Sequence, residues 1–136
     1  MGKPSKTIQS QTFIELLVVV ISMVTVLSGL VQLFTPEFIL GIVGKGEVSP
    51  AMAHFFAIIG MFMALFGGMV LHTLYSSRTS KVILLWAALQ KFGAFLAVTL
   101  GVFNGLFSIL ALGVALFDFF SGFVMLYYMQ KLKQWE

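Results

Sequence analysis

Lys91 and Asp118 are side chains of opposite charge, and each stands inside a long apolar run. An ionisable group at the centre of a bilayer costs at least about 2.5–3.5 kcal/mol on insertion scales, so each demands a partner. Together they can lock two helices, relay a proton, hold an ion or anchor a polar ligand. Gln90 lies beside Lys91 but about 100° around the helix, where it extends the polar site toward another helix. Glu15, near the start of the first run, and His72, near the end of the second, fall at a similar level and are placed to hydrogen-bond. Gln32 and His54 fall at the opposite end of the same two runs. They are expected to bond each other or loop backbone. As chemistry this is a thin constellation: Asp118 or Glu15 is a candidate general acid, and no nucleophile elbow or H-E-x-x-H pattern accompanies them.

Metal and cofactor sites are not expected. His54 and His72 are the only histidines, and along one helix they stand about 27 Å apart, too far to share an ion. The absence of cysteine excludes disulfides and thiolate-held zinc or iron–sulfur clusters. Gly44-Lys45-Gly46 lacks the spacing of a phosphate loop. The eight methionines are scattered through apolar faces and read as packing.

The elements that must position these residues follow from composition. Of 136 residues 60% are hydrophobic and 10% charged, with a mean hydropathy of +1.04, whereas a soluble domain carries about 25% charged residues. Four apolar stretches, roughly residues 13–34, 51–75, 82–103 and 106–129, each approach the ~20 residues that span ~30 Å of hydrocarbon. The expected fold is all-α, a single-domain polytopic membrane protein forming an up-down-up-down four-helix transmembrane bundle. Ser49-Pro50 and Ser80 supply helix starts for the second and third spans. Thr35-Pro36-Glu37 carries the same signature ahead of a short interfacial helix over about 36–43, stopped near Gly41 or Gly44. Asn104-Gly105 reads as a tight turn between the third and fourth spans. Lys91 lies as far before that turn as Asp118 lies after it, which predicts a mid-membrane ion pair.

Each span also carries a stripe of small or hydrogen-bonding residues, the kind that lets helices approach in lipid. The stripes run from Glu15 through Ser22, Thr25 and Gly29 to Gln32; from Ala53 through Gly60 and Gly67 to Leu71; from Ala87 through Lys91 to Gly101; and from Ser108 through Ala115, Asp118 and Gly122 to Met125. The phenylalanine-rich remainder is expected to face lipid or neighbouring subunits.

Lys3, Lys6, Arg78, Lys81, Lys131 and Lys133 cluster in the two tails and the second loop. Lys45 alone marks the first loop, and no basic residue marks the third. The positive-inside rule then places both termini in the cytoplasm, with Tyr75, Tyr127, Tyr128 and Trp135 at the inner boundary. The N-terminal run is too long for a signal peptide core and is read as uncleaved. Basic residues at membrane edges account for the net charge of +3, and nucleic acid is not an expected partner.

Phe34-Thr35-Pro36 closing the first span, a glycine-containing loop and a glycine-rich second span resemble the layout of DoxX-like small four-helix integral membrane proteins. The resemblance covers most of the chain and implies a bacterial-type inner-membrane protein, an accessory to oxidoreductases or one of unassigned role. It carries no site residues with it, because Lys91 and Asp118 match no motif of that family. The residues themselves favour a non-catalytic accessory or assembly subunit. Its partners would be the lipid bilayer and other membrane subunits or a second copy. The alternatives are a carrier or binder of an apolar or proton-coupled ligand at Lys91/Asp118, and a small isomerase or cyclase acting on a lipid-soluble substrate.

Overall fold

Apolar sequence without strand alternation has one way to satisfy its backbone in a bilayer, which is to coil into helices whose hydrogen bonds are internal. The computed structural model describes residues 6–135, with side chains from 12 to 132. Within that range the chain forms α1 (Lys6–Phe34), α2 (Pro36–Val43), α3 (Pro50–Tyr75), α4 (Lys81–Phe103) and α5 (Ala111–Trp135). The fold is all-helical, and α1, α3, α4 and α5 are long and apolar enough to cross a membrane. Of the residues used to orient the chain, Lys3 lies outside the described residues, as do the side chains of Lys6, Lys133 and Trp135.

Capping explains the element starts. Ser49 Oγ accepts from the Met52 amide at 3.2 Å and Ser80 Oγ from the Ile83 amide at 3.4 Å, each satisfying an otherwise orphan donor. Thr35 behaves differently from its sequence signature. Its hydroxyl donates back to the Val31 carbonyl at 2.6 Å, so α2 begins on Pro36 without a side-chain cap.

The fourth span starts later than its hydropathy suggests. Residues 104–110 form an irregular connection, and α5 begins only at Ala111 rather than at 106. Gly105 takes a φ of 74°, open to glycine at no steric cost. The chain then runs beside the end of α2. The Lys45 amide donates to the Leu106 carbonyl at 3.1 Å, and the Ser108 amide donates to the Val43 carbonyl at 2.7 Å. Ser108 therefore belongs to this loop and not to the stripe of the last helix. The Phe107 ring lies over Gly101, where any Cβ would collide with it.

α1 and α3 pack most intimately. Gly29 faces Gly60, Gln32 faces Phe56 and Ser22 faces Gly67, so numbering rises on one helix as it falls on the other and the pair is antiparallel. A Cβ on Gly29 would lie 2.6 Å from the Gly60 carbonyl oxygen, and one on Gly60 would lie 2.6 Å from that of Gly29. Backbone meets backbone here, the arrangement small residues permit where lipid offers no hydrophobic drive between helices.

α4 and α5 form the second antiparallel pair, and aromatic rings fill it. Gly122 makes room for the Phe92 ring, and Phe119 packs against Phe95 at 4.7 Å and Phe123 at 4.9 Å between centroids. Part of the phenylalanine set thus packs inward, against the expectation that it all faces outward. Phe34, Phe55, Phe62, Phe103 and Phe120 do remain exposed.

The two pairs join near the Lys81 end through a cluster that includes Val18, Val70, Leu84, Ala88, Met125 and Tyr128. Tyr128 lies at this end of the molecule and is buried among the helices, at 2% exposure.

The glycine contact yields a directional test. Gly29→Ala or Gly60→Ala should lower stability by about 1–3 kcal/mol through overpacking. Gly68→Ala, with open space around its Cβ, should leave stability unchanged or raise it slightly through helix propensity. Thermal unfolding of the purified protein in detergent compares the three.

Candidate functional site: a buried lysine shared by three helices

Lys91 occupies the α4 stripe and is 3% exposed. Its ammonium donates to Asp118 Oδ1 on α5 at 2.9 Å and to Thr25 Oγ1 on α1 at 2.8 Å. The Thr25 hydroxyl in turn donates to the Ile21 carbonyl at 2.8 Å. The result is an ordered chain from Asp118 through Lys91 and Thr25 into the α1 backbone. The Phe117 ring stands 5.2 Å from the ammonium, where its negative face adds to the attraction.

The expected Lys91–Asp118 pair therefore exists, but the turn arithmetic behind it does not hold. Because α5 starts at Ala111, Lys91 lies twelve residues from the end of its helix and Asp118 only seven from the start of its own. The ammonium nevertheless meets Asp118 Oδ1 at 2.9 Å.

Thr25 is the participant the sequence reading left out of the site. Its hydroxyl on the α1 stripe, among otherwise small or apolar neighbours, was the available signal. What concealed it is that the link to Lys91 spans 66 residues of chain and depends on how the two helix pairs meet.

The other candidates separate. Gln90 is half-buried and lines the same small cavity as Lys91, so it does extend the polar region. Glu15 is half-buried, whereas His72 is exposed, and no hydrogen bond joins them among the described residues. Gln32 is buried, and its amide donates to the Phe56 carbonyl on α3 at 2.9 Å. It thereby ties α1 to helix backbone, not to His54, which is exposed. Glu15, His72, Gln32 and His54 thus stand apart from the Lys91 centre.

The space around the centre is small. The cavity beside Lys91 offers about 10 Å³ to the centre of a water-sized molecule and is lined by residues of α1, α3, α4 and α5. A wider, open groove of about 290 Å³ lies between α4 and α5 at their Lys81 end, bordered by Lys81, Val82, Leu85, Met129 and Gln130. No family model, curated protein or solved structure matches the chain.

Chemically, the arrangement holds one positive and one negative charge in direct contact, with one hydroxyl as the cation's second hydrogen-bond partner. Removing one member of such a buried pair typically costs about 3–5 kcal/mol, whereas replacing both with apolar groups of similar size is often neutral. Lys91→Met and Asp118→Leu should therefore each destabilise by about that amount, and the double variant should recover most of the loss. Thr25→Val, which removes an acceptor from a charged donor, should cost about 1.5–3 kcal/mol, and Thr25→Ser much less. Unfolding of the five variants in one detergent tests this; strictly additive losses for Lys91→Met and Asp118→Leu would contradict the coupling.

Proposed function

We propose that the chain is a non-catalytic, multi-pass module of a cell membrane, of the bacterial inner-membrane type, acting as an accessory or assembly subunit of a larger membrane complex. Both termini and the α3–α4 loop lie on the cytoplasmic side in this reading, with Arg78 and Lys81 at that edge as the positive-inside rule requires. The carrying observation is that the Lys91–Asp118 ion pair is closed on itself. Lys91 is held by Asp118 and Thr25, and the cavity beside it is too small for a substrate. A ligand site of ordinary size is about 300–1,000 Å³.

The exterior supports the same reading. Phe55, Phe62, Leu65, Leu96, Phe103 and Phe120 project from the helices and are suited to meet lipid or the apolar helices of another subunit. The layout resemblance to DoxX-like proteins points in the same direction. The pair's role is then to set helix register, a use for buried polar groups that offsets their desolvation cost with specificity.

A carrier or proton-coupled binder is the second reading, favoured by the presence of ionisable groups in a span at all. The Lys91→Met/Asp118→Leu variant divides the two. An accessory subunit should be isolated from native membranes with the same stoichiometric protein partner whether or not the pair is present. A quinone- or lipid-class molecule bound one-to-one to the wild type, and lost from a folded double variant, would establish the carrier instead. Native mass spectrometry of both proteins reads the outcome.

A further inference from the structure

The open groove between α4 and α5 lies apart from the Lys91 centre, toward the ends of both helices. Its volume of about 290 Å³ approaches the roughly 300 Å³ at which ordinary ligand sites begin. Its wall changes character with depth. Lys81 is the first residue of α4 and Gln130 stands near the end of α5, so both belong to the edge of the span. Leu85 is one helical turn further in, and Val82 and Met129 complete an apolar floor. Val82 and Leu85 are exposed, so the floor opens to whatever surrounds the bundle. A cationic rim over an apolar floor, at the end of a span, has the outline of a phospholipid: headgroup at the edge, acyl chain below.

Charge selects among phospholipids. Arg78 lies three residues before Lys81, and Lys131 follows Gln130. No acidic residue occurs between Ser76 and Phe103, and Asp118, the only one on α5, is engaged by Lys91. Glu15, the acidic residue of α1, does not border the groove. A net-negative headgroup gains from this field, and a zwitterionic one gains far less. An ammonium carries three donors, so Lys81 can take a phosphate oxygen alongside the contact it already makes.

We propose that this groove binds one anionic phospholipid from the leaflet at the Lys81 end. Its phosphate rests on Lys81, and an acyl chain lies against Val82, Leu85 and Met129. The groove runs for little more than one helical turn, which suits a narrow acyl chain better than a helix about 10 Å across. The proposal rests on the chain crossing a membrane and not on its being an accessory subunit. In the orientation given above the leaflet is the cytoplasmic one, whose surface is negative because anionic lipids concentrate there.

Native mass spectrometry tests this on the full chain in detergent, offered equimolar phosphatidylglycerol and phosphatidylcholine with identical acyl chains. The wild type should retain one phosphatidylglycerol in preference to phosphatidylcholine. Lys81→Gln should weaken phosphatidylglycerol binding about fivefold, the contribution of one basic residue facing anionic lipid, and Lys81→Arg should preserve it. Leu85→Trp, which fills the floor, should lower retention of both lipids. Lys45→Gln, at the opposite end of the bundle, should change nothing. Equal retention of the two lipids by the wild type would overturn the proposal. So would a preference that persists unchanged in folded Lys81→Gln and Leu85→Trp, or one that Lys45→Gln abolishes equally. A second copy of the chain bound in place of lipid, and released by Leu85→Trp, would make the groove a subunit interface and overturn it as well.

Discussion

A lysine ammonium enclosed by apolar helices has to be compensated where it sits, and that requirement organises the centre of this protein. Lys91 cannot reach water from the middle of α4, so α5 must present Asp118 and α1 must present Thr25 within hydrogen-bond distance. Three helices are thereby brought to one point. The α1–α3 pair is held by glycine contacts and the α4–α5 pair by interlocked aromatic rings. The bond from Lys91 to Thr25 is a buried polar link between the two pairs, and an apolar cluster toward the Lys81 end reinforces it. The small-residue stripes matter because they let the backbones come close enough for these short bonds to form.

On the accessory-subunit reading proposed above, the pair serves uniqueness more than stability. Helices whose surfaces are mostly Leu, Val and Phe can slide or rotate past one another in lipid at little cost, since acyl chains resemble those side chains. A charge pair tolerates no such slip, because a displacement of one turn would leave both ions uncompensated. Gln32 acts in the same sense between α1 and α3, bonding a particular carbonyl rather than a side chain that could follow it. At the other end of the molecule, the bonds between residues 43–45 and 106–108 fasten α2 to the α4–α5 connection and give the two pairs a second fixed point.

Much of this was legible in the sequence, and the remainder was hidden for physical reasons. Hydropathy identifies four apolar helices because membrane insertion depends directly on it. The stripes predict burial well: Ser22, Thr25, Gly29, Gln32, Ala115, Asp118 and Gly122 are all buried. Hydropathy could not reveal the late start of α5, since Leu106, Phe107, Ile109 and Leu110 are as apolar as a span and pack as an irregular loop. The Lys91–Asp118 pair was found by way of a hairpin tighter than the real one, whose connection runs irregularly to Ala111. Thr25 was read as buried but not as a partner of Lys91, because that bond comes from how the two helix pairs meet, which no local pattern encodes. Glu15 with His72, and Gln32 with His54, were matched by depth alone; rotation about the helix axis turns the histidines outward.

The contact between the ammonium of Lys91 and the carboxylate of Asp118 is the claim on which the account rests, and dipolar recoupling in a lipid bilayer addresses it without mutation. With 15N in lysine side chains and 13C in aspartate carboxyls, Asp118 being the only aspartate in the chain, the measurement reports one specific distance. A strong coupling between Lys91 Nζ and Asp118 Cγ, matching the 2.9 Å N···O contact, is the predicted result. A folded protein in bilayers that shows no coupling between these two atoms would contradict the account, because the helices would then be held together by something else.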